Sequence, residues 1–160
     1  MAQTKVFLGV GSNIDRRKAI AAALSDLQLA LGEIEISPTF ESESVGFNGD
    51  NFYNLVVCFE TNLSLEEIIS LYREIEDKAG RNRKQPKFSA RTLDIDLLFY
   101  GDIICDKPVQ LPRNEILQNA YVLWPLAILA PDTIHPQTGL SIAEHWQRYD
   151  NKQKIWQVET

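Results

Sequence analysis

Cysteine and histidine are scarce in this chain, at two residues each among 160. Cys58 and Cys105 sit in apolar segments without Cys-x-x-Cys spacing, so a reducing compartment and plain core packing are expected of both. The Asn62-Leu63-Ser64 sequon then carries no meaning. His135 and His145 are ten residues apart and lack metal-protease or zinc-finger spacing, which leaves them structural or surface roles and gives no support to a hydrolytic triad. Long hydrophobic runs are missing too. The longest, Ala120 to Ala130, contains Pro125 and is too short to span a bilayer, while MAQTKVFLGVGSN is a poor signal peptide. A cytoplasmic protein is expected. No Gly-Lys-Ser/Thr step marks a Walker loop, and Gly9-Val10-Gly11 starts a dinucleotide fingerprint that fails because position 14 is Ile. An excess of positive charge is also absent: the net charge of −6 argues against a general binder of nucleic acid or anionic membrane.

What is present is local and concentrated. Positions 78 to 91 hold six basic residues (Lys78, Arg81, Arg83, Lys84, Lys87, Arg91) and no acid, whereas the remainder carries ten basic and twenty-two acidic residues. Such a segment suits a local anionic ligand. Gln85-Pro86 and Ser89 make it a loop able to close over that ligand. Immediately after it, Leu93, Ile95, Leu97 and Phe99 alternate, which predicts a strand with one buried face and sets Asp94 and Asp96 together on the other. Two carboxylates so placed suit Mg²⁺, a hard cation that prefers oxygen ligands, and Arg81, Arg83 and Arg91 can meet phosphate oxygens. A solvated strand face is the better explanation of the aspartate pair when it is taken alone, and it is the neighbouring basic segment that shifts the balance toward a metal.

At 44% hydrophobic content the chain suits one domain over 1–160. Lys5 to Val10 predicts a strand, Gly11-Ser12-Asn13 a turn that caps the next helix, and Ile20, Ala23, Leu24, Leu27 and Leu31 that helix, stopped at Gly32. Strands are expected over Glu33 to Ser44 and Phe52 to Thr61, with a loop from Val45 to Asn51 between them. Ser64-Leu65-Glu66-Glu67 is a capping box for a helix whose apolar stripe is Ile68, Leu71, Tyr72 and Ile75. A final helix is expected from Ser141 to about Tyr149. The order strand, helix, strand, strand, helix, strand predicts an α+β, ferredoxin-like βαββαβ sandwich with additional C-terminal elements. Its helices would lie on one face and leave the other free for a ligand.

Five blocks fall in the order seen in one family: Gly11-Ser12-Asn13; Phe52-Tyr53-Asn54; Glu76 with Gly80-Arg81-Asn82-Arg83; Arg91-Thr92-Leu93-Asp94-Ile95-Asp96; and Val122-Leu123-Trp124-Pro125-Leu126. From about Val6 to Pro131 the chain resembles the 6-hydroxymethyl-7,8-dihydropterin pyrophosphokinases of folate biosynthesis. The resemblance implies transfer of the β,γ-pyrophosphate of ATP to the pterin hydroxymethyl group with release of AMP. It also implies that Asp94 and Asp96 hold two Mg²⁺ ions and that Arg81 and Arg91 stabilise the transition state. Arg73, Glu76, Arg83, Phe88, Leu97 and Arg113 would serve the nucleotide, Phe88 standing where the family commonly has tryptophan. Phe52, Tyr121 and Asn54 offer faces and an amide for a flat heteroaromatic, with Ser42, Glu43 and Val45 completing the pterin pocket. For Phe52 and Tyr121 ordinary core packing is the competing reading. The expected protein is a monomer with no nucleic-acid or membrane partner.

The chain departs from the family pattern between Leu111 and Tyr121. Arg113 stands in place of a histidine and Asn119 in place of an arginine, so a cation is missing from the nucleotide side. Ser42-Glu43 likewise replaces a commonly Pro-containing loop. Two alternatives follow: a divergent paralogue with slow turnover or another pterin, and a non-catalytic ligand-binding or RNA-binding module.

Overall fold

A computed structural model describes residues 3–43, 51–80, 93–150 and 153–158. Strand β1 (Thr4–Ser12) lies between β5 (Asp94–Tyr100) and β4 (Phe52–Thr61), and every pairing in the six-stranded sheet is antiparallel. Beyond β4 come β3 (Thr39–Ser42) and β6 (Ile155–Val158), with the short β2 (Glu35–Ile36) also paired to β4. The expected strand from Glu33 to Ser44 is thus broken in two around Ser37 and Pro38. Proline has no N–H to give a sheet ladder. Ser37 bridges the gap by donating its N–H to Val56 O at 2.9 Å and accepting the Val56 N–H on Oγ at 2.8 Å.

Alternation along the central strands sends apolar side chains to both faces of the sheet. Val6, Leu8 and Val10 of β1 and Leu55, Val57 and Phe59 of β4 pack against Ile20, Ala23 and Leu27 of α1 (Arg16–Leu31) and Ile68, Tyr72 and Ile75 of α2 (Leu65–Lys78). On the opposite face, Phe7, Val56, Cys58, Leu98 and Phe99 meet Ile116, Val122, Leu123, Leu126 and Ile142 from α3 (Glu115–Gln118), α4 (Ala120–Leu129) and α5 (Ile142–Arg148). Helices on one face only is therefore corrected. Phe7, Val56 and Cys58 are apolar outward positions that need cover, and burying them stabilises the fold at about 25 cal/mol per Å² of apolar surface.

Two local expectations also change. Asp15 rather than the Gly11-Ser12-Asn13 turn is the N-cap of α1; Ser12 ends β1 and its Oγ donates to Ile14 O at 3.1 Å. In β5 the partners run Leu8↔Leu97 and then Phe7↔Phe99, so Leu98 is an extra residue at a β-bulge. Phe99 consequently leaves the face shared by Leu93, Ile95 and Leu97 and meets Phe7 edge-on, with ring centroids 5.6 Å apart. The Ser64 capping box on α2 forms as expected, Ser64 Oγ accepting the Glu67 N–H at 3.1 Å and Glu67 Oε1 accepting the Ser64 N–H at 2.9 Å. Cys58 and Cys105 are free thiols, and burial pushes the Cys58 thiol up to about 11, which leaves it unreactive. Among the described residues no helix is long and apolar enough to cross a membrane.

Candidate active site

Among the described residues one part of the second face is left uncovered, for a reason visible in the register. Gly9 pairs with Asp96 on one side and Val56 on the other, and Gly11 pairs with Asp94 and Asn54. Cross-strand partners share a face. The central strand therefore contributes no side chain between Asp94 and Asn54, nor between Asp96 and Val56, and a cleft of about 380 Å³ opens over the two glycines. Its walls include Ser42, Glu43, Phe52, Arg113, Glu115, Asn119, Tyr121 and Gln153.

The acidic end of this cleft is charge-crowded. Burial, and then the neighbouring Asp94 carboxylate, push the Asp96 carboxyl up to about 7, against the opposing pull of Arg113. Arg113 Nη2 lies 3.4 Å from Asp96 Oδ1, and its Nε pairs with Glu115 Oε2. Burial disfavours the Arg113 charge, but Asp96, Glu115 and Asp94 together outweigh it and hold it firmly protonated. At the other end, burial followed by Glu115, Asp96 and Asp94 raises the Tyr121 phenol to about 12, so it remains neutral. Asn54 Nδ2 reaches Ser42 Oγ at 3.5 Å. Negative oxygens at one end suit a cation that could bridge to an anionic ligand portion, and the ring-and-amide wall suits a flat one.

Comparison with known proteins agrees with this arrangement. The family model described as 7,8-dihydro-6-hydroxymethylpterin-pyrophosphokinase (HPPK) matches residues 7–131. The chain belongs to that family. It is 34% identical over 134 residues to the 2-amino-4-hydroxy-6-hydroxymethyldihydropteridine pyrophosphokinase of Aquifex aeolicus, covering 82% of this chain and 83% of that one. It is 32% identical over 147 residues to the folic acid synthesis protein fol1 of Pneumocystis carinii, covering 89% of this chain but 20% of the relative. In structure it is similar to wild-type Plasmodium falciparum HPPK-DHPS, with a TM-score of 0.70, 14% identity, and coverage of 91% of this chain and 44% of the other. The chain thus spans under half of that solved structure, and the likeness there is one of fold.

Within this HPPK fold, Asp94, Asp96, Ser42, Glu43, Phe52, Asn54, Tyr121 and Arg113 all line one cleft. The other expectations fall elsewhere. Glu76 is buried under the strand, where its Oε2 accepts the Ile95 N–H at 2.8 Å, between the two aspartates. Arg73 is exposed on α2, and the Leu97 side chain is buried in the α1/α2 core, so neither side chain is part of the cleft wall. Buried Tyr72 nonetheless feels Arg73, Asp96, Glu76 and Arg113, which makes α2 an electrostatic neighbour of the acidic end. Lys78, counted with the basic segment, ends α2 and pairs with Asp26 at 3.2 Å. Val45, Arg81, Arg83, Phe88 and Arg91 lie outside the described residues.

Sequence reasoning missed Gly9 and Gly11 as the cleft floor, although Gly-x-Gly on one strand beside Asp-x-Asp on another was the available signal. It also missed Glu115 and Gln153, for which no local pattern exists. A methyl group added at Gly11 would lie 2.5 Å from Asn54 Oδ1 while meeting backbone only at 3.6 Å. Gly11→Ala should therefore turn the Asn54 amide aside and, with Asn54 pairing to the pterin as the sequence resemblance implies, raise the pterin KM about tenfold with Tm little changed. Steady-state kinetics and a thermal melt check it.

Proposed function

We propose that the protein transfers the β,γ-pyrophosphate of ATP to the hydroxymethyl oxygen of 6-hydroxymethyl-7,8-dihydropterin and releases AMP in folate synthesis. The observation that carries this reading is the single cleft joining the Asp94/Asp96 pair to the Phe52, Asn54 and Tyr121 wall. A flat pterin placed on that wall would direct its hydroxymethyl arm toward the aspartates. The hydroxyl oxygen then bonds to the β-phosphorus, the bond from that phosphorus to the α,β-bridging oxygen breaks, and AMP departs with that oxygen. The hydroxyl proton is lost to solvent or to a nearby base.

The donor set fits Mg²⁺: Asp94 and Asp96 offer hard oxygens, and crowding raises Asp96 in a way that a cation would relieve. Among the described residues no three His, Cys, Asp or Glu side chains converge, which suits an ion completed by water and phosphate oxygens rather than an all-protein cage. Bound at these aspartates, two Mg²⁺ ions would neutralise phosphate charge and make the β-phosphorus a better electrophile. On this reading Ser42, Glu43 and Val45 hold the polar edge of the pterin. Arg113 serves the nucleotide side from the cleft wall, Arg73 adds charge from α2, Glu76 acts through its hold on Ile95, and Leu97 is left a packing role in the core; Arg83 and Phe88 close over the nucleotide, and Arg81 and Arg91 stabilise transition-state charge. The work of the protein is alignment and electrostatics.

We read β1, α1, β2 with β3, β4, α2 and β5 as a ferredoxin-like unit, supported by the sheet order β5-β1-β4-β3, with α3 to α5 and β6 added. Purified protein given ATP, Mg²⁺ and the reduced pterin should release AMP and no ADP. Chromatographic separation of the nucleotides decides the point, and ADP or no product from folded protein defeats the proposal.

A further inference from the structure

The polar wall of the cleft contains a chain of amides whose orientation can be deduced from one end. The backbone N–H of Ala120 is an unambiguous donor, and Gln153 Oε1 accepts it at 2.8 Å. That contact turns the Gln153 NH₂ toward Asn119, where Nε2 donates to Oδ1 at 3.3 Å. Asn119, with its carbonyl so engaged, presents its own NH₂ to Tyr121 and donates from Nδ2 to the phenol oxygen at 2.9 Å. An amide NH₂ cannot accept, so the tyrosine hydroxyl is the acceptor in this link and keeps its proton for another partner.

We propose that the Ala120–Gln153–Asn119 relay fixes the Tyr121 hydroxyl as a hydrogen-bond donor into the cleft, where it meets the edge of a flat heterocycle whose face lies on Phe52, making Gln153 a positioning residue for an acceptor atom on that edge. This rests on the pterin reading of the wall. Gln153 lies beyond residues 7–131 matched by the family model, and it is carried to the cleft just before β6, which pairs with β3. The relay also gives Asn119 a function distinct from carrying charge. A ring alone would hold any flat apolar molecule, whereas a phenol with a committed donor selects one that offers a carbonyl oxygen or an unprotonated ring nitrogen.

The relay can be reversed without changing its shape. In Gln153→Glu one carboxylate oxygen still accepts from Ala120, but the other cannot donate to Asn119. Asn119 must then turn its NH₂ toward position 153 and its carbonyl toward Tyr121, whose proton is drawn away from the ligand. Binding of 6-hydroxymethyl-7,8-dihydropterin to the full chain, followed by its fluorescence, should weaken about fivefold to tenfold in Gln153→Glu and similarly in Tyr121→Phe, as one neutral hydrogen bond predicts. The double variant should bind no worse than Tyr121→Phe, because the two changes act through one hydroxyl. Should Gln153→Glu melt early, Asn119→Asp imposes the same reversal and replaces it in the cycle.

An undiminished effect of Gln153→Glu in the Tyr121→Phe background would overturn the proposal, since that residue would then act through α4 or through charge alone. Unchanged binding in Tyr121→Phe would overturn it as well. Because the readout is a binding constant, failure of AMP release by wild-type protein that binds the pterin defeats only the pyrophosphokinase reading. Wild-type protein that does not bind the pterin defeats both.

Discussion

Asp96→Asn should lower Mg²⁺-dependent turnover about 10³-fold, a loss of the size seen when a preorganised charge contact to the reacting group is deleted. The same substitution should leave the metal-free protein at least as stable as wild type at pH 8. Both expectations come from one feature, the crowding that raises Asp96 to about 7 by burial and by Asp94. The folded state holds this proton more tightly than the unfolded chain, so its contribution to stability is fully present below the ordinary carboxylate range. It is lost as pH rises through about 7. Metal-free wild type should therefore show a falling Tm contribution over that window, and the Asn variant should lack it.

Mg²⁺ held at the aspartates as proposed would compete with the same proton, so it should raise the wild-type Tm more at pH 8 than at pH 6 and do little for Asp96→Asn at either. Melts in chelator and in excess Mg²⁺, run with kinetics, check all of this. Turnover within tenfold of wild type, or an equal Mg²⁺ shift in the variant, would remove the metal from these aspartates. Asp94→Ala and Asp96→Ala should likewise fold and fail to turn over, since both side chains stand on the open face of β5.

Glu76→Ala should damage fold and catalysis together. β5 is an edge strand of the sheet, and a buried edge needs partners for its outward N–H groups. Glu76 supplies one, its carboxylate accepting the Ile95 N–H at 2.8 Å between Asp94 and Asp96. Removing a charged acceptor from a buried N–H costs about 1.5–3 kcal/mol. For a chain of this size that is a Tm loss of roughly 5–10 °C. Freed from this tether, the Asp-x-Asp backbone loses its setting, and kcat should fall about 10–100-fold, the range for residues that orient metal ligands. Glu76→Gln keeps a carbonyl acceptor in the same place and should recover most of both losses. Equal damage from Gln and Ala would show that the carboxylate charge, rather than the bond to Ile95, is what matters at this position.

Much of this was legible in the sequence because it depends on neighbours a few positions away. Alternation placed Asp94 and Asp96 on one face of a strand; the Ser64 and Glu67 spacing announced a capping box that forms; and Phe52 to Thr61 is β4 to the residue. Residue order also carried the family, since five short blocks in sequence suffice for that. Other features were decided by pairing across the fold. A bulge at Leu98 sends Phe99 to the opposite face, and nothing in the alternation of β5 records it, because the extra residue exists only relative to β1. Helices α3 to α5 close much of the second face, and among the described residues the cleft lies where Gly9 and Gly11 stand opposite the aspartates. Glu76 and Gln153 acquire their roles only through partners 19 and 33 residues away, Ile95 and Ala120. Sequence period specifies which way a side chain faces. Which group it then meets, and whether that group donates or accepts, depends on long-range register, so the acids were readable from the chain while the groups that hold and aim them were decided by the tertiary structure.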